Sequence, residues 1–172
     1  DAAVAVAVAD GSATARISGN SRLSVGGTLS LAADNTRTVT ATADGTSTAA
    51  GGTLALAIVR GSTLAYVDGT SAIDAPSDEA DAVSVSATTT TTATATAKST
   101  PGGAKEQAAG DTKTEEKLAD YEAETAEGNL PFAAAAAITD VVSDTQAYLT
   151  ASGPIVAAGT IGLSATATAQ VT

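Results

Sequence analysis

The acidic residues most able to share a task lie around Pro76: Asp68, Asp74, Asp78, Glu79 and Asp81, with Tyr66 as the nearby aromatic. Paired carboxylates are the chemistry of glycoside hydrolysis, and acids gathered in a loop are the chemistry of calcium. A sugar-cutting groove also wants a basic residue and aromatics to stack on the ring, and this stretch offers one tyrosine. Calcium wants six to eight oxygens, of which the Asp74–Asp81 loop supplies part, so weak calcium binding there stays an open alternative to a solvated acidic loop. Asp10-Gly11, Asp44-Gly45 and Asp68-Gly69 lack the glycine-rich repeat of a calcium solenoid and read as turns. Histidine and cysteine are both absent, which removes the usual neutral-pH base, the Ser-His and Cys-His pairs, and nearly every zinc or iron site. No catalytic, cofactor-binding or metal-binding residue is assigned, no cofactor is expected, and the chain is read as not an enzyme.

A second pattern is made of hydroxyls. Thr36, Thr38, Thr40 and Thr42 alternate with Arg37, Val39, Ala41 and Ala43, and Thr88 to Thr96 alternate partly with Ala93, Ala95 and Ala97. If alanine faces inward, threonine faces outward in a flat ladder, the form of an ice-binding surface. Threonine is also simply a good exposed strand former. Between the two rows the chain offers Leu64, Tyr66 and Asp68, or Thr63, Ala65 and Val67. This stretch is read as the intervening coil, and neither set continues the ladder.

These residues must be positioned by something regular. Gly26-Gly27-Thr28-Leu29-Ser30-Leu31 returns as Gly51-Gly52-Thr53-Leu54-Ala55-Leu56 and again as Ala158-Gly159-Thr160-Ile161-Gly162-Leu163. Self-similarity at such a period marks a solenoid. Stacked coils place equivalent residues about 4.8 Å apart, so each turn must resemble the one above it. Ala15-Arg16-Ile17 matches Ala65-Tyr66-Val67 at an offset of 50 and Ala147-Tyr148-Leu149 at an offset of 132. The expected fold is all-β, a right-handed parallel β-helix of about 25 residues per coil, the handedness following the crossover rule; the offset of 50 leaves open a double coil with two slightly different halves. Each coil is drafted as three short strands with turns at places such as Gly19-Asn20, Asp34-Asn35, Asp44-Gly45 and Arg60-Gly61. Inward positions are expected at Leu29, Leu31, Leu54, Leu56, Val83, Val85, Ile161 and Leu163. Val4 to Ala9 is read as a strand buried on both sides or lining a tight interior.

Composition agrees. Of 172 residues, 44% are apolar, but there is one Phe, three Tyr and no Trp or Met. An Ala/Val interior is dense only where backbones stand close, which suits a narrow solenoid. The net charge of −11 argues against a nucleic-acid or anionic-lipid partner, and no apolar run is long enough to span a membrane. The start at Asp1 without Met and the strand pattern at Thr172 point to a piece of something longer.

Three segments are expected: β-helix coils over 1–97, a charged, partly helical insertion over roughly 98–130, and coils resuming over 131–172. Lys105 to Glu127 carries eight of the 19 acids and three of the eight basic residues. Thr114 to Tyr121 can form a short helix, weakened by like charges at i,i+4. The insertion reads as a solvated excursion at a coil corner, with binding as the alternative. Ala133 to Ala137 is read as strand.

The unit from Val4 through Asp10-Gly11, Ala15-Arg16-Ile17 and Leu23-Ser24-Val25-Gly26-Gly27-Thr28-Leu29 resembles the repeats of very large secreted bacterial surface proteins, the filamentous-haemagglutinin-like and autotransporter-type adhesins. Asp144 to Leu149 with Ile155, Val156 and Gly159-Thr160-Ile161 is similar to the same unit. The resemblance implies a long β-helical stalk, exported and displayed at the bacterial cell surface, with no catalytic residues on the repeats. The expected function is a structural stalk or spacer of an extracellular adhesin or filament. The alternatives are a glycan- or ligand-binding module acting through residues 98–130, a polysaccharide-active β-helix enzyme, and an ice-binding surface. Expected partners are adjacent repeats or end-to-end copies, with glycans or proteins of a host or neighbouring cell as further candidates.

Overall fold

The computed structural model describes residues 2–45, 51–75, 82–99, 123–125, 128–130 and 133–172. Its strands are β1 (Ala2–Asp10), β2 (Ala13–Ile17), β3 (Arg22–Ser24), β4 (Leu29–Asp44), β5 (Gly52–Val67), β6 (Ala72–Ala75), β7 (Val83–Lys98), β8 (Ala123–Thr125), β9 (Gly128–Leu130), β10 (Ala134–Leu149), β11 (Ile155–Ala157) and β12 (Ile161–Val171). Three parallel sheets wind into a right-handed parallel β-helix. The front sheet joins β1 and β2 to β5 and β5 to β10; the short sheet is β3–β6–β11; the back sheet is β4–β7–β12.

The register corrects the coil length. Ala3 pairs with Thr53 and Ala15 with Ala65, so one coil takes 50 residues on the front sheet. On the back sheet Leu29 pairs with Val83, a step of 54. Ala65 in turn pairs with Ala147, which places the 50- and 132-residue offsets in a single column. The 25-residue recurrence is half a coil: Gly26-Gly27 precedes the back-sheet strand β4, whereas Gly51-Gly52 leads into the front-sheet strand β5. Both recurrences announce a 16-residue strand, about 50 Å of extended chain.

The drafted turns at Asp34-Asn35 and Arg60-Gly61 do not form; β4 and β5 run straight through them. Asp10-Gly11 is a break between β1 and β2, with the Gly11 N–H donating to the Arg60 carbonyl. Corners do form at Gly19 and Gly69, whose φ values of 79° and 69° favour glycine.

The cross-section is a wedge. Its wide end, closed by the short sheet, holds Val67, Ile73, Val83 and Val85, with Ile17, Leu29, Leu31, Leu149 and Ile155 packed against them. Its narrow end, where the back sheet hands over to the front, holds Ala41, Ala43, Ala55, Ala57, Ala93 and Ala95 with Val39 and Val59. Small side chains let the two sheets close together. The larger residues of β1 and β5 are therefore turned out: Val4, Val6 and Val8 are about 60% exposed, and Leu54 and Leu56 alternate with the buried Ala55 and Ala57. Leu54 and Leu56, expected inside, lie on the outer surface, and the Val4–Ala9 run is buried on its alanine side alone. Leu29, Leu31, Val83 and Val85 do point inward. Ile161 and Leu163 share their columns but stay exposed, because β12 packs across from β10, whereas β4 is covered by β1, β2 and β5.

β10 stacks directly on β5 from Ala134 to Leu149, so Ala134 to Ala137 is strand. Within the insertion, β8 and β9 form a two-stranded antiparallel ladder. The helix expected over Thr114 to Tyr121 falls outside the described residues.

Candidate functional site

Three features bring polar or apolar groups together. The first is a polar seam inside the wedge, between the two apolar clusters. Arg37, on the inward side of β4 and 6% exposed, donates from Nη1 to the Gly11 carbonyl (3.3 Å) and from Nη2 to Ser143 Oγ (2.9 Å). Asn35 Nδ2 donates to the same Gly11 carbonyl at 3.2 Å. Thr145 Oγ1 donates to Thr89 Oγ1 (2.9 Å), which donates to Thr63 Oγ1 (2.7 Å). The Arg37 Nε and the Thr91 Oγ1 beside it have no partner among the described residues. Gly61 makes room: a Cβ there would collide with the Gly11 carbonyl and the Arg37 guanidinium. The seam explains why turn-forming Asn35 and Gly61 sit within strands. It joins all three coils, and it holds one cation and several neutral hydroxyls without a carboxylate. It carries no acid-base pair for chemistry.

The second feature is the outer face of the front sheet. Near the narrow end its columns are Val4–Leu54–Ala136, Val6–Leu56–Ile138 and Val8–Ile58–Asp140. Arg60 and Asp140 form an exposed ion pair at 3.0 Å, of a kind worth under about 1 kcal/mol. Toward the wide end Arg16, Tyr66 and Tyr148 form one column. The Tyr66 and Tyr148 rings stack at 4.9 Å with 5° between planes. A hydrogen bond with the Tyr66 side chain, then charge interaction with it and with Asp68, raises the Arg16 pKa further. Desolvation, followed by the Tyr66 and Asp68 charges, pushes the Tyr148 phenol above its ordinary value. Two stacked rings beside one guanidinium are a compact exterior cluster.

The third feature is the outer face of the back sheet. Its columns pair Thr36 with Thr90, Thr38 with Thr92, Thr40 with Thr94 and Thr42 with Thr96, with Thr168 beside Thr90. The two threonine rows expected to be separated by an intervening coil are hydrogen-bonded neighbours. The residues thought to intervene, Thr63 to Asp68, belong to the front sheet and the corner after it. No side-chain hydrogen bond within the described residues engages these outward hydroxyls.

Of the acids expected to cluster around Pro76, Asp68 and Asp74 are among the described residues. Asp68 adjoins the Arg16–Tyr66–Tyr148 column, while Asp74 lies on β6 between Ser24 and Val156. Asp78, Glu79 and Asp81 lie outside the described residues. Among the described residues no group of three acids is placed to hold a metal. The sequence reading missed the seam and the adjacency of the threonine rows. Arg37 shares the parity of Val39, Ala41 and Ala43, and that was the available signal for the seam.

The chain matches no protein-family model, no curated protein and no solved structure.

Proposed function

We propose that the chain is a structural spacer, a stalk segment of a large extracellular adhesin or surface filament that extends or displays other domains. The observation that carries this reading is the constancy of register: Ala15, Ala65 and Ala147 stand in one column, and so do Leu29, Val83 and Ile161. A solenoid of this kind lengthens by about 4.8 Å per added coil while its cross-section stays fixed. The edges of β4 and β12 that face away from β7 offer backbone groups to a further coil, supplied by an adjacent repeat or by another copy end to end. The absence of His and Cys supports a non-enzymatic role, and the net charge of −11 supports a solvated exterior that avoids nucleic acid. The cell-surface location rests on the resemblance of the repeats to secreted adhesins.

Tandem arrays of two, four and six copies, examined by small-angle scattering and negative-stain microscopy, test the spacer reading. The expected result is a rod of constant width that lengthens by about 14 Å for the three coils of each copy. Separate beads on a string, or hydrolysis of a polysaccharide by the single copy, would overturn it.

A further inference from the structure

We propose that the threonine face of the back sheet is an ice-binding surface. It goes beyond the spacer role and stands on a different observation. From Thr36 to Thr42 and from Thr90 to Thr96 every outward position on two adjacent strands is threonine. Neighbouring rows lie about 4.8 Å apart, and successive outward residues along a row about 6.6 Å apart. Threonine thus recurs along both axes at spacings of the same order as the oxygen repeats of an ice prism face, the row-to-row spacing being the nearer of the two. The array continues with Thr88 and Thr166 beside Asp34, and with Ser84, Ser86 and Ser164 toward the wide end.

Three physical properties favour ice over other occupants. The surface is neutral: on a chain of net charge −11, the charges on this face are Asp34 at one side and Asp44 beside Lys98 at the rim. Ice is uncharged and differs from water only in its order, so a partner recognised by lattice and not by charge fits such a face. The surface is rigid: β4 and β7 are unbroken 16-residue strands backed by the close-packed Val39, Ala41, Ala43, Ala93 and Ala95. It is also pre-ordered, because β-branched threonine has few χ1 choices and therefore loses little side-chain entropy on binding. A carbohydrate face would instead carry aromatics, and this face has none.

Strand propensity alone does not account for the threonines. The front sheet of the same solenoid turns Val4, Val6, Val8, Leu54, Leu56 and Ile58 outward at comparable positions, and these form strand equally well. The alternation of methyl and hydroxyl in two registered rows is specific to the back.

The test uses the 172-residue chain and ice itself, with ice-crystal shaping and inhibition of recrystallisation read over a dilution series. The unaltered chain is expected to shape crystals and slow recrystallisation. Thr38→Tyr combined with Thr92→Tyr plants rings in the centre of the lattice and is expected to lower potency at least tenfold. Thr40→Tyr with Thr94→Tyr does the same one column away, and each pair is scored only with an unchanged far-UV spectrum and melting curve. Val6→Tyr with Leu56→Tyr on the front sheet is expected to leave potency unchanged. An unaltered chain without effect on ice growth, or folded back-face variants with full potency, would overturn the proposal. Binding to microcrystalline chitin or cellulose that the back-face variants lose, with no effect on ice, would assign the face to a polysaccharide and also overturn it.

Discussion

The front and back sheets close on the same alanine core and turn opposite chemistries to solvent. Near the narrow end the front presents Val4, Val6, Leu54, Leu56 and Ile138, while the back presents threonine at the outward positions from Thr36 to Thr42 and from Thr90 to Thr96. The interior dictates the inward half of each strand, because only alanine and an occasional valine fit between sheets this close. It leaves the outward half unconstrained. Valine, isoleucine and threonine are all good strand formers, so folding demands neither face. The difference therefore has no origin in folding, and it is the contrast on which the proposal for the back face rests.

The comparison can be broken from inside. Gly61 adopts φ of 150° and lies against Gly11 and Arg37 at the seam. Gly61→Ala should cost about 3 kcal/mol or more in urea unfolding, through strain and displaced backbone. Gly52→Ala, where an added Cβ meets nothing within 4 Å, should stay within about 0.5 kcal/mol. The next largest effect is expected in the alanine layer. Ala57→Leu, at a position with no exposure, should destabilise by about 1–3 kcal/mol through overpacking. The same change at the outward Ala32 should be nearly silent by the same unfolding assay.

Exchanging the outer chemistries sharpens the contrast without unfolding the chain. Val6→Thr with Leu56→Thr, and separately Thr38→Val with Thr92→Val, should each leave stability within about 1 kcal/mol. Sedimentation velocity should report weaker self-association for the first pair and stronger for the second, since contiguous exposed apolar area drives association. The smallest effect is electrostatic. The raised Tyr148 pKa means that the folded state keeps its phenol proton where the unfolded chain releases it. This contribution is fully present below the ordinary tyrosine pKa near 10 and is lost as pH rises through the folded value. Tyr148→Phe should therefore flatten the loss of thermal stability above pH 10 and leave the melt at pH 7 little changed.

Much of the fold is legible in the chain. The offsets of 50 and 132 are true column spacings, and Leu29, Leu31, Val83 and Val85 follow inward parity. The coil length is misread because the same Gly-Gly-Thr entry precedes both a back strand and a front strand, so half a coil imitates a whole one. The drafted turns at Asp34-Asn35 and Arg60-Gly61 fail because their residues serve an interior seam that local propensity does not reveal. Parity on β1 and β5 is hidden because both faces are apolar, and a slip of one residue exchanges them. The threonine array is legible as two rows but not as neighbours until the coil length is known.

The central claim is that one coil of about 50 residues spreads two long faces apart across a thin wedge. Nitroxide labels at Ser30→Cys and Leu54→Cys test it directly, because both positions face outward and stand 24 residues apart in sequence. Double electron–electron resonance should give a distance of about 40 Å, since Ser30 lies near the wide end and Leu54 near the narrow one. Labels in near contact, within roughly 10 Å, would mean that a 25-residue coil stacks them and would contradict the account.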